Sequence, residues 1–342
     1  MDKVSILGYG AYVPRYRLKI DEIEKAWTDK EYSTRSRRLG VEEKAVAGFD
    51  EDEVTMGYEA ARNAVKRAGI DPADLGGIIT GCMSRRFRDK SVSAMIAQML
   101  GTSEVLACDC VHSSKSGSSA LILGKSMAEA GDRSVLVIAT DNPHAAPCDD
   151  LEPLSGSGAV AFVCGKGEGV AHIEGSYSCS REVYDIWQPV EVPYMYYDMN
   201  VSRQLYRDVT VQATRAYMER NGMNVDDYTY FVLSQQDARV PLGVARALKI
   251  PKEKMAAGFL CSRIGDLYSA SALIGVAAIL DTAKEGERIL ASSYGSGGAD
   301  TIGLRVGKGI KGRKDACPSV EDYLNDKVYI DYLSFLRYSH VI

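Results

Sequence analysis

The chain has 342 residues, of which 41 are Lys or Arg and 46 are Asp or Glu, for a formal charge of −5. Hydrophobic residues make up 46% and charged residues 25%, a globular mix that excludes a disordered, collagen-like or coiled-coil chain. It lacks the basic excess of a duplex nucleic-acid binder, and no apolar run approaches the ~18 residues that span a bilayer, so neither nucleic acid nor membrane is an expected partner.

The opening Met1-Asp2-Lys3-Val4-Ser5-Ile6-Leu7-Gly8 is too short and too mixed for a signal peptide and reads as a first strand. A cytoplasmic location is expected. Cysteines stand at 82, 108, 110, 148, 164, 179, 261 and 317 with no CxxC pair, which favours free thiols over a disulfide framework. The four histidines (His112, His144, His172, His340) show no zinc-ligand spacing, and no metal is expected.

Along the chain, Val54, Tyr58, Ala61, Val65 and Ala68 recur at three- and four-residue spacing, predicting an amphipathic helix that Gly69 ends. A turn at Ile70-Asp71-Pro72 and a short strand at Ile78-Ile79-Thr80 follow. Then come a small-residue helix through Ser119-Ala120-Leu121-Ile122-Leu123-Gly124, a turn at Gly131 and an apolar strand from Ser134. The same order returns later: a helix from Val209, a stop at Gly222, a polar turn, a strand at Tyr230-Phe231-Val232-Leu233, a helix through Ser271-Ala272-Leu273-Ile274-Gly275, a turn at Gly286 and a strand from Arg288. Gly69 and Gly222 are 153 positions apart, as are Asp74 and Asp227; the next pairs, Ser119/Ser271 and Gly131/Gly286, are 152 and 155 apart.

Four elements in one order at nearly one offset make the chain a duplication. The expectation is two α/β halves of βαβαβ type, 1–170 and 171–342, with mixed sheets covered by helices. A pseudo-two-fold packs helices 115–130 and 269–283 at the centre. It also converges four turns: Ser114 before the first buried helix, its repeat mate Asp266, and the ends of the first strands near Met83 and Ser234. Strand ends are where α/β folds place their chemistry.

Several motifs carry a family resemblance over nearly the whole chain. They are Gly8-Tyr9-Gly10-Ala11-Tyr12-Val13-Pro14-Arg15, Glu51-Asp52-Glu53, Ser155-Gly156-Ser157-Gly158-Ala159, Gly265-Asp266-Leu267-Tyr268-Ser269, Ser293-Tyr294-Gly295-Ser296-Gly297 and the tail Val328-Tyr329-Ile330-Asp331-Tyr332. In that order they resemble the thiolase superfamily, and within it the archaeal-type 3-hydroxy-3-methylglutaryl-CoA synthases and their ketoacyl synthase III relatives. The resemblance implies a thiolase-like fold of two duplicated halves in five layers. It also implies acyl transfer and condensation on coenzyme A thioesters: a Cys at a helix N-terminus is acylated, a His and a Glu move protons, and an oxyanion hole stabilises the charge.

The sequence departs from that pattern at each reacting position. Where the family has Cys-Lys-Ala-Gly, this chain has Ser114-Lys115-Ser116-Gly117; the family Glu aligns with Met83, and the family His with Ser234. Arg239 stands where relatives have a Lys that contacts coenzyme A phosphate. Cys110 does not replace the thiol: the elbow needs a Gly three residues on, which Gly117 supplies for Ser114 and Ser113 does not for Cys110. Cys110 reads as a buried strand cysteine. A serine nucleophile needs a base. His112 stands two residues off on the same strand–turn, and His144, in Asp141-Asn142-Pro143-His144, belongs to a loop able to approach the site.

Two function classes follow. One is a non-catalytic synthase-like subunit of an acyl-CoA thiolase/acyltransferase complex, a homodimer or a heteromer with a catalytic thiolase and a small zinc-ribbon/OB-fold acyl-CoA-binding protein. The other is an active condensing enzyme or acyltransferase rewired around Ser114. No cofactor motif is present, and a coenzyme A thioester is the expected substrate. Segments 80–110 and 181–200 are the expected assembly surfaces, being rich in aromatic, Met or Arg residues. The basic run Ser84-Arg85-Arg86-Phe87-Arg88-Asp89-Lys90 reads as an ion-paired rim or subunit interface, with an anion site as the alternative.

Overall fold

The computed structural model describes residues 4–27, 38–111, 113–296 and 298–342; His112 and Gly297 lie outside the described residues. The first half runs β1 (Val4–Tyr12), β2 (Tyr16–Lys19), α1 (Ile20–Ala26), β3 (Glu43–Val46), α2 (Glu53–Ala68), β4 (Leu75–Gly81), α3 (Val92–Met99), β5 (Leu106–Cys110), α4 (Ser116–Ala130), β6 (Ser134–Asp141) and β7 (Gly158–Lys166). The second half runs β8 (Ala171–Cys179), the short hairpin β9 (Ile186–Trp187) and β10 (Tyr196–Tyr197), α5 (Met199–Arg220), β11 (Tyr230–Leu233), α6 (Val240–Leu248), α7 (Glu253–Ala256), α8 (Cys261–Ile264), α9 (Ser271–Thr282), β12 (Arg288–Gly295) and β13 (Gly298–Val306). A tail of α10 (Ile310–Arg313), α11 (Val320–Asn325), β14 (Val328–Ile330) and α12 (Tyr332–Tyr338) closes the chain.

Local chemistry sets the repeat's punctuation. Asp52 and Thr55 form a capping box at the start of α2, satisfying amides that the first helical turn leaves open. Gly69 ends the helix at φ +70°, a left-handed cap that glycine adopts without Cβ strain. Pro72–Asp74 and Val225–Asp227 are both single 3₁₀ turns leading into a strand, so the spacing shared by Asp74 and Asp227 is a shared structure.

The sheet order is β11-β12-β13-β8-β1-β7-β6-β4-β5. Its seam is the short antiparallel pairing of β1 with β8 through Ser5↔His172 and Ile6↔Ala171. Read outward from the seam, the first half gives β1-β7-β6-β4-β5 and the second β8-β13-β12-β11. Pairing types match: β4–β6 and β11–β12 are parallel, while β6–β7, β7–β1, β12–β13 and β13–β8 are antiparallel. Among the described residues the second half has no counterpart of the edge strand β5.

Alternation along the strands builds the layers. Val137 and Phe162 turn one way, into a central core with Ala120 and Leu121 of α4 and Leu273, Ile274 and Val276 of α9. Leu136, Ile138 and Val163 turn the other way, against α2 and α3, while Phe231, Leu233 and Leu290 meet α5 and α6. The result is helix, sheet, central helices, sheet, helix: the five-layer thiolase-like fold. The two central helices meet closely at their N-terminal ends. A Cβ on Gly117 would sit 2.2 Å from the Ser269 carbonyl oxygen, so no larger residue fits there. No helix of the described residues is long and apolar enough to cross a membrane.

Candidate active site

All four sequence-predicted turns come together at the strand ends, joined by one hydrogen-bond network. Ser114 lies just ahead of α4 and is buried. Its Oγ donates to the Tyr294 carbonyl at 3.2 Å, and the Tyr294 amide donates to Ser234 Oγ at 2.9 Å. The end of β12 is thus clamped between the two serines, and Gly295 permits it: a Cβ there would stand 2.9 Å from Ser114 Oγ. The Ser234 carbonyl accepts the Tyr206 hydroxyl. One residue on, the Gln235 amide donates to Ser271 Oγ at 2.8 Å, which ties the Ser234 turn to the start of α9.

Asp266 is buried beside that junction, with Oδ1 accepting the Tyr268 amide at 3.0 Å. Burial raises its carboxyl to about 7, opposed by hydrogen bonds from Ser271 and the Tyr268 amide. The turn is tight: Gly265 has φ +76° and Tyr268, a bulky residue, φ +47°. That strained conformation is pinned by the bond between the Tyr268 hydroxyl and Ser155 Oγ at 2.7 Å. Met83 enters through Asp141, a buried acid at the end of β6. Asp141 Oδ1 accepts the Met83 amide at 2.8 Å, with the amide and hydroxyl of Ser84 at 2.7 Å. Asp141 Oδ2 accepts the Ser269 amide at 2.8 Å. Burial raises the Asp141 carboxyl against these bonds. The Met83 side chain is half-buried and packs with the cluster around Tyr268.

The other expected residues fall elsewhere. His144 does not receive the Ser114 hydroxyl, which goes to Tyr294; its own carbonyl accepts the Met195 amide at 3.4 Å. Burial and the neighbouring charges of His340, Lys44 and Arg86 hold its ring below the usual histidine range. Arg239 is exposed, its amide bonded to Asp237 Oδ1 at 2.7 Å. Cys110 is half-buried rather than buried, because β5 is the edge of the sheet; burial still pushes its thiol up to about 11. All eight cysteines are free. The basic run after Met83 makes no ion pair among the described residues; Arg85, Arg86, Arg88 and Lys90 are exposed, with Phe87 44% exposed between them.

Two acids that hold the site together, Asp300 and Asp185, were not singled out from sequence, and Glu53 was named only within a motif. Asp300 on β13 is buried and accepts Lys115 Nζ at 3.3 Å, Ser118 Oγ at 2.9 Å and Ser119 Oγ at 2.8 Å. An acid inside an otherwise uncharged strand stretch, Gly298-Ala299-Asp300-Thr301-Ile302, was the available signal. Asp185 anchors the β9–β10 hairpin by accepting the Tyr294 hydroxyl at 2.7 Å and the Ser202 hydroxyl at 3.1 Å, with Ser296 as a further donor. Glu53 is buried and raised to about 7 by desolvation, and it accepts the Arg86 amide. Neither Glu53 nor Asp266 has a hydrogen bond to Ser114.

Among the described residues no group of three or more His, Cys, Asp or Glu could hold a metal. A cleft of about 780 Å³, lined by Lys19, Asp21, Glu43, Arg263 and Lys327 among others, does not include Ser114. What the four turns bring together is hydroxyls, amides and two buried acids, Asp141 and Asp266, both raised by burial.

Known proteins share this architecture. Residues 39–141 match the thiolase N-terminal domain and residues 218–302 the 3-oxoacyl-[acyl-carrier-protein] synthase III C-terminal family. The chain is 38% identical to a hydroxymethylglutaryl-CoA synthase of Thermococcus gammatolerans, over 98% of this chain and 95% of that one. Among solved structures it is similar to MvaS in complex with 3-hydroxy-3-methylglutaryl coenzyme A (TM-score 0.88, 20% identity, covering 99% of this chain and 92% of that one). It is also similar to the 3-oxoacyl-(acyl carrier protein) synthase III of Pseudomonas aeruginosa (TM-score 0.82, 22% identity, 90% and 99% covered).

Proposed function

The chain belongs to the hydroxymethylglutaryl-CoA synthase family, and from that premise we propose that it is a non-catalytic, synthase-like subunit of a cytoplasmic acyl-CoA thiolase/acyltransferase assembly. The observation that supports this reading is where the Ser114 hydroxyl points. Its proton is donated to a main-chain carbonyl, and the hydroxyl facing it across Tyr294, that of Ser234, is occupied as an acceptor. A serine becomes a nucleophile when an adjacent base takes its proton, and that assistance is worth about 10²–10⁴-fold. A thioether at Met83 and a hydroxyl at Ser234 move no protons near neutral pH.

In such an assembly the fold supplies a docking frame and a coenzyme A thioester surface, with Arg239 as a phosphate contact, while a catalytic thiolase and a small zinc-ribbon/OB-fold acyl-CoA-binding protein supply the chemistry. Exposed Phe87, Met99 and Leu106 in one segment, and Tyr184, Val190 and Tyr196 in another, are the apolar surfaces that a second copy or a heteromeric partner would bury.

The test is mass spectrometry after incubation with acetyl-CoA. The unmodified protein gains no acyl mass, and Ser114→Cys alone does not restore acetoacetyl-CoA condensation. The triple variant Ser114→Cys, Met83→Glu, Ser234→His recovers some. An acyl group on Ser114 in the native chain would replace this reading with that of an active, rewired condensing enzyme. Light scattering on the purified protein, and on a co-purified complex, tests the assembly; a stable monomer that retains no thiolase counts against it.

A further inference from the structure

Four cations are buried among the described residues: Arg17, Lys44, Arg67 and Lys115. Three are well met. Arg67 donates to five carbonyls, those of Tyr9, Arg313, Lys314, Cys317 and Pro318. Arg17 donates to three, and Lys115 has the Asp300 carboxylate. Lys44 is different. It is 2% exposed, it makes no ion pair among the described residues, and it has one hydrogen bond, to the Glu152 carbonyl at 2.5 Å. An ammonium has three protons to place, and a buried charge with so few partners is costly.

The remaining neighbour of Lys44 is a ring. Its Nζ lies 4.1 Å from the centroid of Phe335, on the C-terminal helix α12. Phe335 also walls a small void of about 10 Å³, together with Asn142, Ser155, Ser157, Tyr338 and Ser339. Ser157 Oγ donates to Asn142 Oδ1 at 2.8 Å, which leaves the Asn142 amino group as a donor. Phe335 therefore stands between an under-satisfied ammonium and a void that the Asn142, Ser155 and Ser157 side chains share with Ala45, Val46, Ala47 and Pro143. The helix that carries it has no fully buried residue. Tyr332, Phe335 and Tyr338 pack half-buried on the cluster around Tyr268, and the helix is further held by the Tyr332 hydroxyl bond to Glu152 at 2.5 Å and by Tyr338 against Tyr16 at 5.0 Å.

We propose that α12 is a displaceable cover, and that the floor beneath it, formed by Lys44, the Asn142 amide and Ser157, binds a small anionic group, a carboxylate or a phosphate. When Phe335 leaves, the ammonium and the void become one pocket in which the cation and the Asn142 amino group are the donors that such an anion requires, with Ser157 holding the Asn142 amide in place. Burial lowers Lys44 to about 8, with the nearby Glu152 charge opposing; an incoming anion would relieve that desolvation. The site is distinct from Ser114 and does not depend on whether Ser114 reacts.

The experiment is amine labelling of the full chain with an N-hydroxysuccinimide ester, read by mass spectrometry at Lys44, with exposed Lys25 as the internal control. In the native protein Lys44 labels far more slowly than Lys25. Phe335→Ala raises the Lys44 rate by about tenfold or more by removing the cover. Inorganic phosphate or acetate then slows Lys44 labelling by about tenfold, the factor of one charge-assisted hydrogen bond, while Lys25 is unchanged. Protection by phosphate alone identifies a phosphate-bearing ligand, and by acetate as well a carboxylate. If Phe335→Ala does not fold, Phe335→Leu, which keeps most of the volume but removes the ring face, takes its place. Native Lys44 as reactive as Lys25 overturns the cover. An opened Lys44 that neither anion protects, or equal protection at Lys25, overturns the anion site.

Discussion

The turns that start the two central helices are repeat mates, yet they are built differently. Ahead of α4, Ser113 to Gly117 is stitched by short hydroxyl bonds and by the buried Lys115–Asp300 pair, which joins this turn to β13 of the other half. Ahead of α9, Gly265 to Ser271 holds a left-handed tyrosine and an acid raised to about 7. Duplication supplied two equivalent strand-end turns. In the first, charge is neutralised and every hydroxyl of the turn is engaged. In the second, strain persists, and a buried carboxyl is met by hydrogen bonds from Ser271 and the Tyr268 amide but by no cation among the described residues. The difference teaches that equivalent turns can take different tasks: the Ser114 turn clamps the two halves together, while the Asp266 turn holds strain and a raised acid.

Breaking the clamp gives the largest expected effect. Asp300→Ala strands the Lys115 ammonium in a buried site and should cost about 3–5 kcal/mol, the usual penalty for removing one partner of a buried pair. Urea denaturation measures it. Replacing both partners, Lys115→Met with Asp300→Leu, should recover most of the loss, because an apolar pair of similar volume needs no desolvation. A single variant within experimental error of the native protein would mean that the pair contributes nothing to the first turn.

The second turn is probed through pH. An acid with a folded pKa above its unfolded value of ~3.9 holds its proton more tightly in the native state, so its stabilising influence is full below that value and lost as pH rises. For Asp266 the loss runs from ~4 up to about 7. Asp266→Asn keeps an acceptor for the Tyr268 amide and removes the titration. Relative to the native protein, the variant should therefore gain on the order of 4 kcal/mol between pH ~4 and pH ~8. Glu53, raised to about 7 as well, leaves part of the native pH dependence in place. Urea midpoints across that range decide the matter, and parallel curves for the two proteins would exclude Asp266 as the acid concerned.

A third expectation concerns the contact between the turns. Gly117→Ala places a methyl 2.2 Å from the Ser269 carbonyl and 2.6 Å from Ala139 Cβ. Both neighbours are backbone or core, so relief requires α4 to shift, at about 1–3 kcal/mol. Gly69→Ala, by contrast, meets no neighbour within 4 Å and costs only the strain of φ +70°. Comparable losses at the two positions would count against close packing of the central helices.

The duplication was legible because glycine stops and apolar strands follow local rules: Gly69 and Gly222 both terminate helices with positive φ, and the strand at Tyr230–Leu233 begins and ends where its apolar run does. The convergence of Met83, Ser114, Ser234 and Asp266 was legible because strand ends on one sheet edge are close in space. The acids that join them were not. Asp141, Asp185 and Asp300 act through partners up to 185 positions away in the chain, and no local pattern encodes such pairings. The missing fifth strand of the second half was hidden for a similar reason. The segment between α6 and α9 keeps ordinary helix and turn residues, and its two short helices, Glu253–Ala256 and Cys261–Ile264, arise from tertiary packing rather than from periodicity.

The smallest expected effect separates the two functional readings through stability alone. An active site keeps its nucleophile in a setting that is poor for folding, so replacing that residue by alanine often stabilises the protein. Ser114 is in a setting that is good for folding: its hydroxyl is buried and donates to Tyr294. Ser114→Ala should then destabilise by about 0.5–1.5 kcal/mol, the net worth of one neutral hydrogen bond. Ser234→Ala should cost more, about 1–3 kcal/mol, because it removes the acceptor of the buried Tyr294 amide. Paired urea titrations of the two variants give both signs at once. A Ser114→Ala protein more stable than the native chain would show that the serine is held against the fold's preference, as a reacting group is, and would move the balance toward an enzyme built on Ser114.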